Sequence, residues 1–399
     1  MRSSSVQALR LPGLPHLAGA LTLAELGETL ASVALAVVVF GRSGSVMATG
    51  AFFVAARLGP ALMSQPLAAF IDRSAGRRGL ALCFALEAVL FALLAAPLPV
   101  AVLVVVPLVT GTVAVCCRSI TRAEAAVRLT RAERLRQGNG AINLGFAIAG
   151  TVGAAAGGGL AAITDPAVPL YAAAGCFVLG AALIVRTPRA RPKSSAANAL
   201  GHLREGLAFA RADKAVFALL CVQTAALLAF MLVIPIEVVY AQRDLDAGPA
   251  GYGALLATWG LGIVVGGALF ARAENALTAL AAVASLAVAA AYGGLALAPT
   301  LVVACVASLL GGIGNGVQWV AVLTALQERV PEALQARVVA LLDAGAQLAP
   351  GLGFALGTVL TAVMSARATY GIAAAGTTVA AVGFFVLHAR ASRQTALVH

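Results

Sequence analysis

The chain has 399 residues, 61% hydrophobic and only 11% charged, with a mean hydropathy of +0.96 and a net charge of +11. Soluble domains sit nearer 45–50% apolar and about 25% charged, so a soluble enzyme, a disulfide-rich secreted domain and a disordered chain are all excluded. The apolar residues fall in long continuous runs, as membrane-spanning helices require, not in the short alternating segments of an outer-membrane barrel.

Breakers and charge clusters divide the chain into twelve predicted spans. The first half reads about 16–40, 46–71, 79–97, 99–119, 138–163 and 169–186; the second reads about 215–240, 250–271, 276–297, 300–324, 338–363 and 369–388. The predicted fold class is an all-α polytopic membrane protein of twelve transmembrane helices in two pseudo-symmetric six-helix bundles. Residues 1–186 form the first bundle, 187–214 a cytoplasmic linker and 215–399 the second bundle.

Span one carries Glu25, Glu28, Thr29 and Ser32 at i, i+3, i+4 and i+7, a polar stripe that must face protein or a cavity. A charge at the centre of a spanning helix costs roughly 2.5–3.5 kcal/mol on insertion scales, so each one needs a reason. Glu28 lies about 12 residues from the inner end of its span, roughly 18 Å deep. Span two offers Arg57 at a similar depth from the other side, followed by Ser64 and Gln65. Two carboxylates sharing one arginine are either a structural ion pair or a proton-coupled site. Span three holds Glu87 alone, which reads as a packing or lipid-interface residue, with a functional role as the alternative.

Between spans two and three stands Asp72-Arg73-Ser74-Ala75-Gly76-Arg77-Arg78. Span five is rich in glycine, with Gly150, Gly153, Gly157 and Gly158, and also carries Asn139 and Asn143, whose natural use is hydrogen bonding between helices. The linker has Leu200, Leu203 and Leu207 at helical spacing, which suits either an amphipathic helix on the inner leaflet or a plain tether.

The second half contributes Gln223 and Thr224 in span seven, Glu237 near its outer end and Trp259 in span eight. Asn315, Gln318 and Trp319 follow in span ten at i, i+3 and i+4, and Asp343 with Gln347 in span eleven at i, i+4. An aromatic plate beside two amides suits an amphiphilic or cationic organic ligand, and equally an interfacial anchor or core filler.

Of the 27 Lys and Arg residues, 23 fall at the termini, the linker and the loops of one face, including Arg118 to Arg136 after span four. The opposite face has Arg42, Arg243 and Arg367, and Arg57 lies within a span. The positive-inside rule therefore places both termini and the linker in the cytoplasm. The basic charge is a topology signal, and no aromatic-rich basic module points to nucleic acid. The six cysteines lie in apolar runs without CxxC spacing, and the four histidines are scattered, so neither a metal site nor a cofactor is expected.

The halves echo each other. Glu133 and Glu332 each open an acidic–basic turn before a Gly/Ala-rich helix, and Gly153 and Gly157 match Gly353 and Gly357 at an offset of 200. A parallel repeat of six helices is one of the recurrent transporter architectures.

With these residues in place the chain resembles the major facilitator superfamily over nearly its full length. The segment Asp72, Arg73, Gly76, Arg77 and Arg78 resembles that family's signature loop, with Ala68 in place of the usual Gly and one extra residue before Gly76. The resemblance implies a cytoplasmic gating role; by dipole attraction Asp72 is expected to cap a neighbouring helix N-terminus, and the alternative is that the arginines only set topology. Gly150 to Gly159 resembles the antiporter glycine motif, with Ala154 in the place of its customary proline. QERVPEALQARV (Gln327 to Val338) and REGLAFARADKAVFALL in the linker are most similar to the twelve-helix drug:proton antiporter branch that includes macrolide and enterobactin exporters.

That resemblance implies a secondary active exporter of small amphiphilic organic molecules, driven by protons. The proton-coupling and substrate-cavity residues are then Glu25, Glu28, Arg57, Gln223, Asn315, Gln318, Trp319, Asp343 and Gln347. Its partners are a small organic substrate, protons and the lipid bilayer, and it is expected as a monomer in a bacterial-type inner membrane. No catalytic constellation or nucleotide loop is present, so an enzyme is not expected. The alternatives are a uniporter or importer of the same fold, or a membrane sensor or enzyme that does not transport.

Overall fold

The computed structural model describes residues 11–74, 76–187, 199–273 and 276–396; the side chains within some of these helical stretches, Asp72, Arg73, Asp343 and Gln347 among them, lie outside what is described. Among the described residues twelve helices of 19 residues or more follow one another, and no strand occurs. In the first half these are α1 (Leu14–Ser43), α2 (Val46–Ser74), α3 (Gly76–Leu94), α4 (Val100–Arg131), α5 (Leu135–Ile163) and α6 (Ala167–Arg186). In the second they are α7 (Lys214–Asp244), α8 (Gly248–Phe270), α9 (Leu277–Leu297), α10 (Leu301–Arg329), α11 (Glu332–Val363) and α12 (Ala366–Ala396). Among the described residues nine of them are long and apolar enough to cross a membrane, and α2 and α11 contain the shorter apolar stretches Val46–Arg57 and Ala349–Val363.

Local chemistry sets the ends. Gly44, at φ 58°, closes α1 by donating its N–H to the Phe40 carbonyl at 2.7 Å, a left-handed cap that glycine adopts without strain. Asp213 caps α7, its Oδ1 accepting from the amides of Ala215 and Val216 at 2.9 and 3.2 Å. Thr300 caps α10 in the same way through Val303 N–H. Pro235 cannot donate to the helix ladder, and there α7 tightens into the 3₁₀ turn Ile234–Ile236, then relaxes into the π-turn Tyr240–Asp244.

Several boundaries differ from the expected ones. In the segment between spans two and three, Asp72 and Arg73 lie in the last turn of α2, and Arg77 and Arg78 in the first turn of α3. α4 runs on to Arg131, so Arg118, Arg122 and Arg128 belong to a helix and not to a loop. The linker contains a helix, Ala199–Ala212, whose Gly206 rests against the Arg337 backbone of α11 while Glu205 pairs with Arg337 at 2.6 Å.

The chain forms two compact units: Met1–Ser195 with Gly248–Ala257, and Ala196–Ala247 with Thr258–His399. In the first, α1 packs on α5 and α6, and α3 on α4 and α6; in the second, α7 packs on α11 and α12, and α9 on α10 and α12. The second set is the first advanced by six helices. In the second unit Val216, Leu219, Ala281, Val322, Leu326 and Phe384 form a continuous apolar core. Outward faces stay apolar too, as with Leu82, Leu86, Val89 and Leu93 of α3, which suits lipid and not water.

Candidate functional site

The polar stripe of α1 is brought into the first unit by glycines of α5. A β-carbon on Gly153 would stand 2.9 Å from Thr29 Cβ and 3.1 Å from the Leu26 carbonyl, and one on Gly157 would stand 3.2 Å from the Leu30 carbonyl. Only hydrogen at these positions lets the two backbones approach so closely. Gly150, two turns before Gly157, leaves the Glu25 carboxylate 3.7 Å of clearance. Gly158 turns to another neighbour, the α-carbon of Gly253.

The glutamates on this stripe are paired by Arg118 of α4. Its Nη1 reaches Glu25 Oε2 at 3.3 Å and also donates to Glu28 Oε2, the closer of the two. All three side chains are mostly buried, at 20% exposure for Arg118, 24% for Glu25 and 29% for Glu28. Arg57, the expected partner, makes no ion pair among the described residues. Arg122, one turn beyond Arg118, lies 4.5 Å over the Phe146 ring and donates to Asn143 Oδ1 at 3.4 Å, tying α4 to α5. Sequence reasoning missed Arg118 because the run of arginines after residue 117 reads as the start of a basic loop. The signal available was the i, i+4 spacing of Arg118 and Arg122 at the end of an apolar run.

The expected residues of the second half are not gathered into one described cluster. Gln223 is buried on α7 with its Oε1 unpaired. On α10 Gln318 is buried, Asn315 is half-buried and Trp319 packs beside the apolar core of the unit. Trp259 is core as well, stacked on Tyr292 with centroids 5.7 Å apart and on Phe230 at 5.6 Å. The side chains of Asp343 and Gln347, and those of Asp72, Arg73 and Arg77, lie outside the described residues, and Arg78 is exposed. Gly76 begins α3.

The internal repeat has a physical counterpart. Gly353 sits on Met231 and Gly357 on the Leu232 backbone, so α11 is seated on α7 as Gly153 and Gly157 seat α5 on α1.

A family model described as Major Facilitator Superfamily matches residues 17–292 and 219–397. Among solved structures, a point mutant of the nucleoside transporter NupG is 14% identical with a TM-score of 0.70, covering 94% of this chain and 98% of that one. A bacterial homolog of the human lysosomal transporter Spinster is 16% identical with a TM-score of 0.69, covering 94% and 95%. A D-xylose-proton symporter is 14% identical with a TM-score of 0.68, covering 93% and 96%. No curated protein matches the chain.

Proposed function

The chain belongs to the Major Facilitator Superfamily and is a membrane transporter rather than an enzyme, and we propose that within this family it is a proton-coupled exporter of small amphiphilic organic molecules. The observation that carries the proton is the sharing of one Arg118 nitrogen by two carboxylates in the middle of spanning helices. Two acids and one arginine leave one negative charge without a full partner, and such a charge in an apolar surrounding attracts either a proton or a cation. A proton arriving on Glu25 and a cationic substrate leaving the same region then compete for one site. Occupancy by one or the other shifts the balance between the two facing states by differential binding.

The direction, export, is supported by the similarity of Gln327–Val338 and of the linker segment to the drug:proton antiporter branch. Gln223, Asn315, Gln318, Trp319, Asp343 and Gln347 are proposed to line the substrate path with Arg57. Asp72, Arg73, Gly76, Arg77 and Arg78 are proposed as the gating joint between α2 and α3, and Gly150, Gly153, Gly157 and Gly158 as the surface of α5 that works against its neighbours. The proposal further takes the protein as a monomer in a bacterial-type inner membrane, with both termini cytoplasmic.

Everted membrane vesicles loaded by a respiratory proton gradient test this reading. Accumulation of lipophilic cations from a compound panel, abolished by a protonophore, is the expected result. Protonophore-insensitive equilibration without concentration points to a uniporter. Accumulation only in right-side-out vesicles points to import, and either result overturns proton-driven export.

A further inference from the structure

Four spanning helices of the second unit end around a cleft of about 710 Å³, which contains none of the residues assigned to transport. Lys214 begins α7, Leu277 begins α9, Arg329 ends α10 and Arg390 ends the apolar length of α12, and all four line the cleft. Residues that close apolar spans stand where hydrocarbon gives way to headgroups. The cleft therefore lies at the membrane surface, next to the linker helix that stops at Ala212. Its volume falls within the roughly 300–1,000 Å³ of small-molecule sites.

Its walls are of two kinds. Leu219 of α7, Leu277 of α9, Ala325 of α10 and Leu387 of α12 make one part apolar, over the core that Val216, Val322 and Phe384 form beneath. Phe217 and Val386, beside the lining residues Ala218 and Leu387 in sequence, are exposed, so the apolar part borders a surface suited to lipid. Thr278, which also lines the cleft, ties α9 to α12 through a 3.3 Å hydrogen bond with His388 Nδ1.

The rim is charged. Asp213 is fully engaged, since its Oδ1 caps α7 and its Oδ2 lies 3.6 Å from Arg329 Nε. Of the three charged residues that remain, Lys214 and Arg390 are cations and Glu328 is an acid. All three are exposed, and none is in an ion pair among the described residues. The rim thus holds one positive charge in excess. A soluble anion would match that charge and leave the apolar wall wet, whereas a purely apolar molecule would leave the cations unmatched. A phosphodiester carrying acyl chains uses both parts.

We propose that this cleft binds one phospholipid with a singly charged headgroup, its phosphate held by Lys214 and Arg390 and its acyl chains laid along Leu219, Leu277 and Leu387. Bound there, the lipid joins the surface ends of α7 and α12. The proposal is independent of what the protein transports and in which direction.

Delipidated full-length protein in a neutral detergent is melted with phosphatidylglycerol, phosphatidylcholine or inorganic phosphate, and adducts are followed by native mass spectrometry. Phosphatidylglycerol is expected to raise the melting temperature by several degrees, increasingly with concentration, and to leave a single-lipid adduct. The other two are expected to do neither. Lys214→Gln/Arg390→Gln is expected to weaken the adduct about thirtyfold, about fivefold for each cation removed. Arg131→Gln/Arg186→Gln takes two exposed arginines from the ends of α4 and α6 and is expected to bind as the wild type does. That control separates the cleft from the general attraction of anionic lipid to a chain of net charge +11. An adduct undiminished in the first double variant, an equal loss in both, or an equal effect of phosphatidylcholine overturns the proposal. An equal effect of inorganic phosphate identifies a soluble-anion site and overturns it too. Should Lys214→Gln/Arg390→Gln fail to fold, Ala218→Trp decides instead, because it fills the apolar wall and leaves both cations. Loss of the adduct in that variant supports the proposal, and an undiminished adduct overturns it.

Discussion

Arg118 and Arg57 make a controlled comparison, because both are arginines in spanning helices of the same unit and, among the described residues, only Arg118 is in an ion pair. Removing one partner of a buried ion pair strands the other, at a cost of about 3–5 kcal/mol. Arg118→Leu strands two acids, so it is expected to lower the melting temperature in detergent sharply, while Arg57→Leu is expected to leave melting nearly unchanged and to act on transport. Glu25→Gln and Glu28→Gln keep shape and lose charge. Each is expected to fold and to flatten the pH dependence of uptake, and a wild-type pH profile in both moves the coupling site elsewhere. The glutamates were legible in the sequence because an acid in an apolar run is conspicuous. Their partner was not, because an arginine beside five others looks like topology, and only the helix's continuation to Arg131 shows otherwise. Two of the three arginines of the sparse face also have structural work: Arg42 donates to the Leu98 carbonyl at 2.8 Å, and Arg367 to the Ala296 carbonyl at 3.1 Å. Those bonds satisfy backbone acceptors close to where α3 and α9 end.

Pairs of helices show where the repeat was readable and why. Small residues at a fixed half-chain offset mark a close backbone approach in any helix, so Gly153 and Gly157 could be matched to Gly353 and Gly357 before their partners were known. The partners, α1 and α7, are set by tertiary packing, which a one-dimensional pattern does not contain. Gly153→Ala would press a methyl against Thr29 and is expected to cost about 1–3 kcal/mol by overpacking. Gly357→Ala meets the Leu232 backbone, which has less freedom to yield, and is expected to cost more. Gly159→Ala, with no heavy atom within 4 Å, is the matched control and is expected to be neutral or mildly stabilising. Melting of the three variants in one detergent checks the order, and equal destabilisation by Gly153→Ala and Gly159→Ala would show that seating on α1 is not what the glycine provides. The ends of α2 and α3 were hidden for the opposite reason: charged residues suggest a loop, yet Asp72 and Arg73 close α2, and Arg77 and Arg78 open α3.

At the scale of the whole chain, hydropathy carried most of the fold, since twelve apolar runs separated by breakers leave few other arrangements. The twelve long helices agree with those runs, their ends shifted by several residues where arginines continue a helix. What composition does not supply is which face of each helix meets lipid, and Glu87 illustrates it: its neighbours in sequence are apolar on both faces of α3. Orientation is open to a direct measurement. In a background without the six native cysteines, Asp165→Cys between α5 and α6 is expected to react with a membrane-impermeant maleimide on intact cells. Arg131→Cys at the end of α4 is expected to react only after permeabilisation, and the reverse pattern would place the termini outside.

The shared arginine also dictates an order of events at the ribosome. Glu28 and Arg118 are 90 residues apart, so at about 5–20 residues per second the first helix emerges on the order of ten seconds before its counter-charge exists. During that interval α1 carries two uncompensated acids at insertion costs of a few kcal/mol each. It should therefore linger at the lateral gate of the translocon, or beside an insertase, until α4 arrives. Nascent chains arrested before residue 118 are then expected to leave α1 extractable by alkali, and chains arrested beyond Arg131 to hold it firmly.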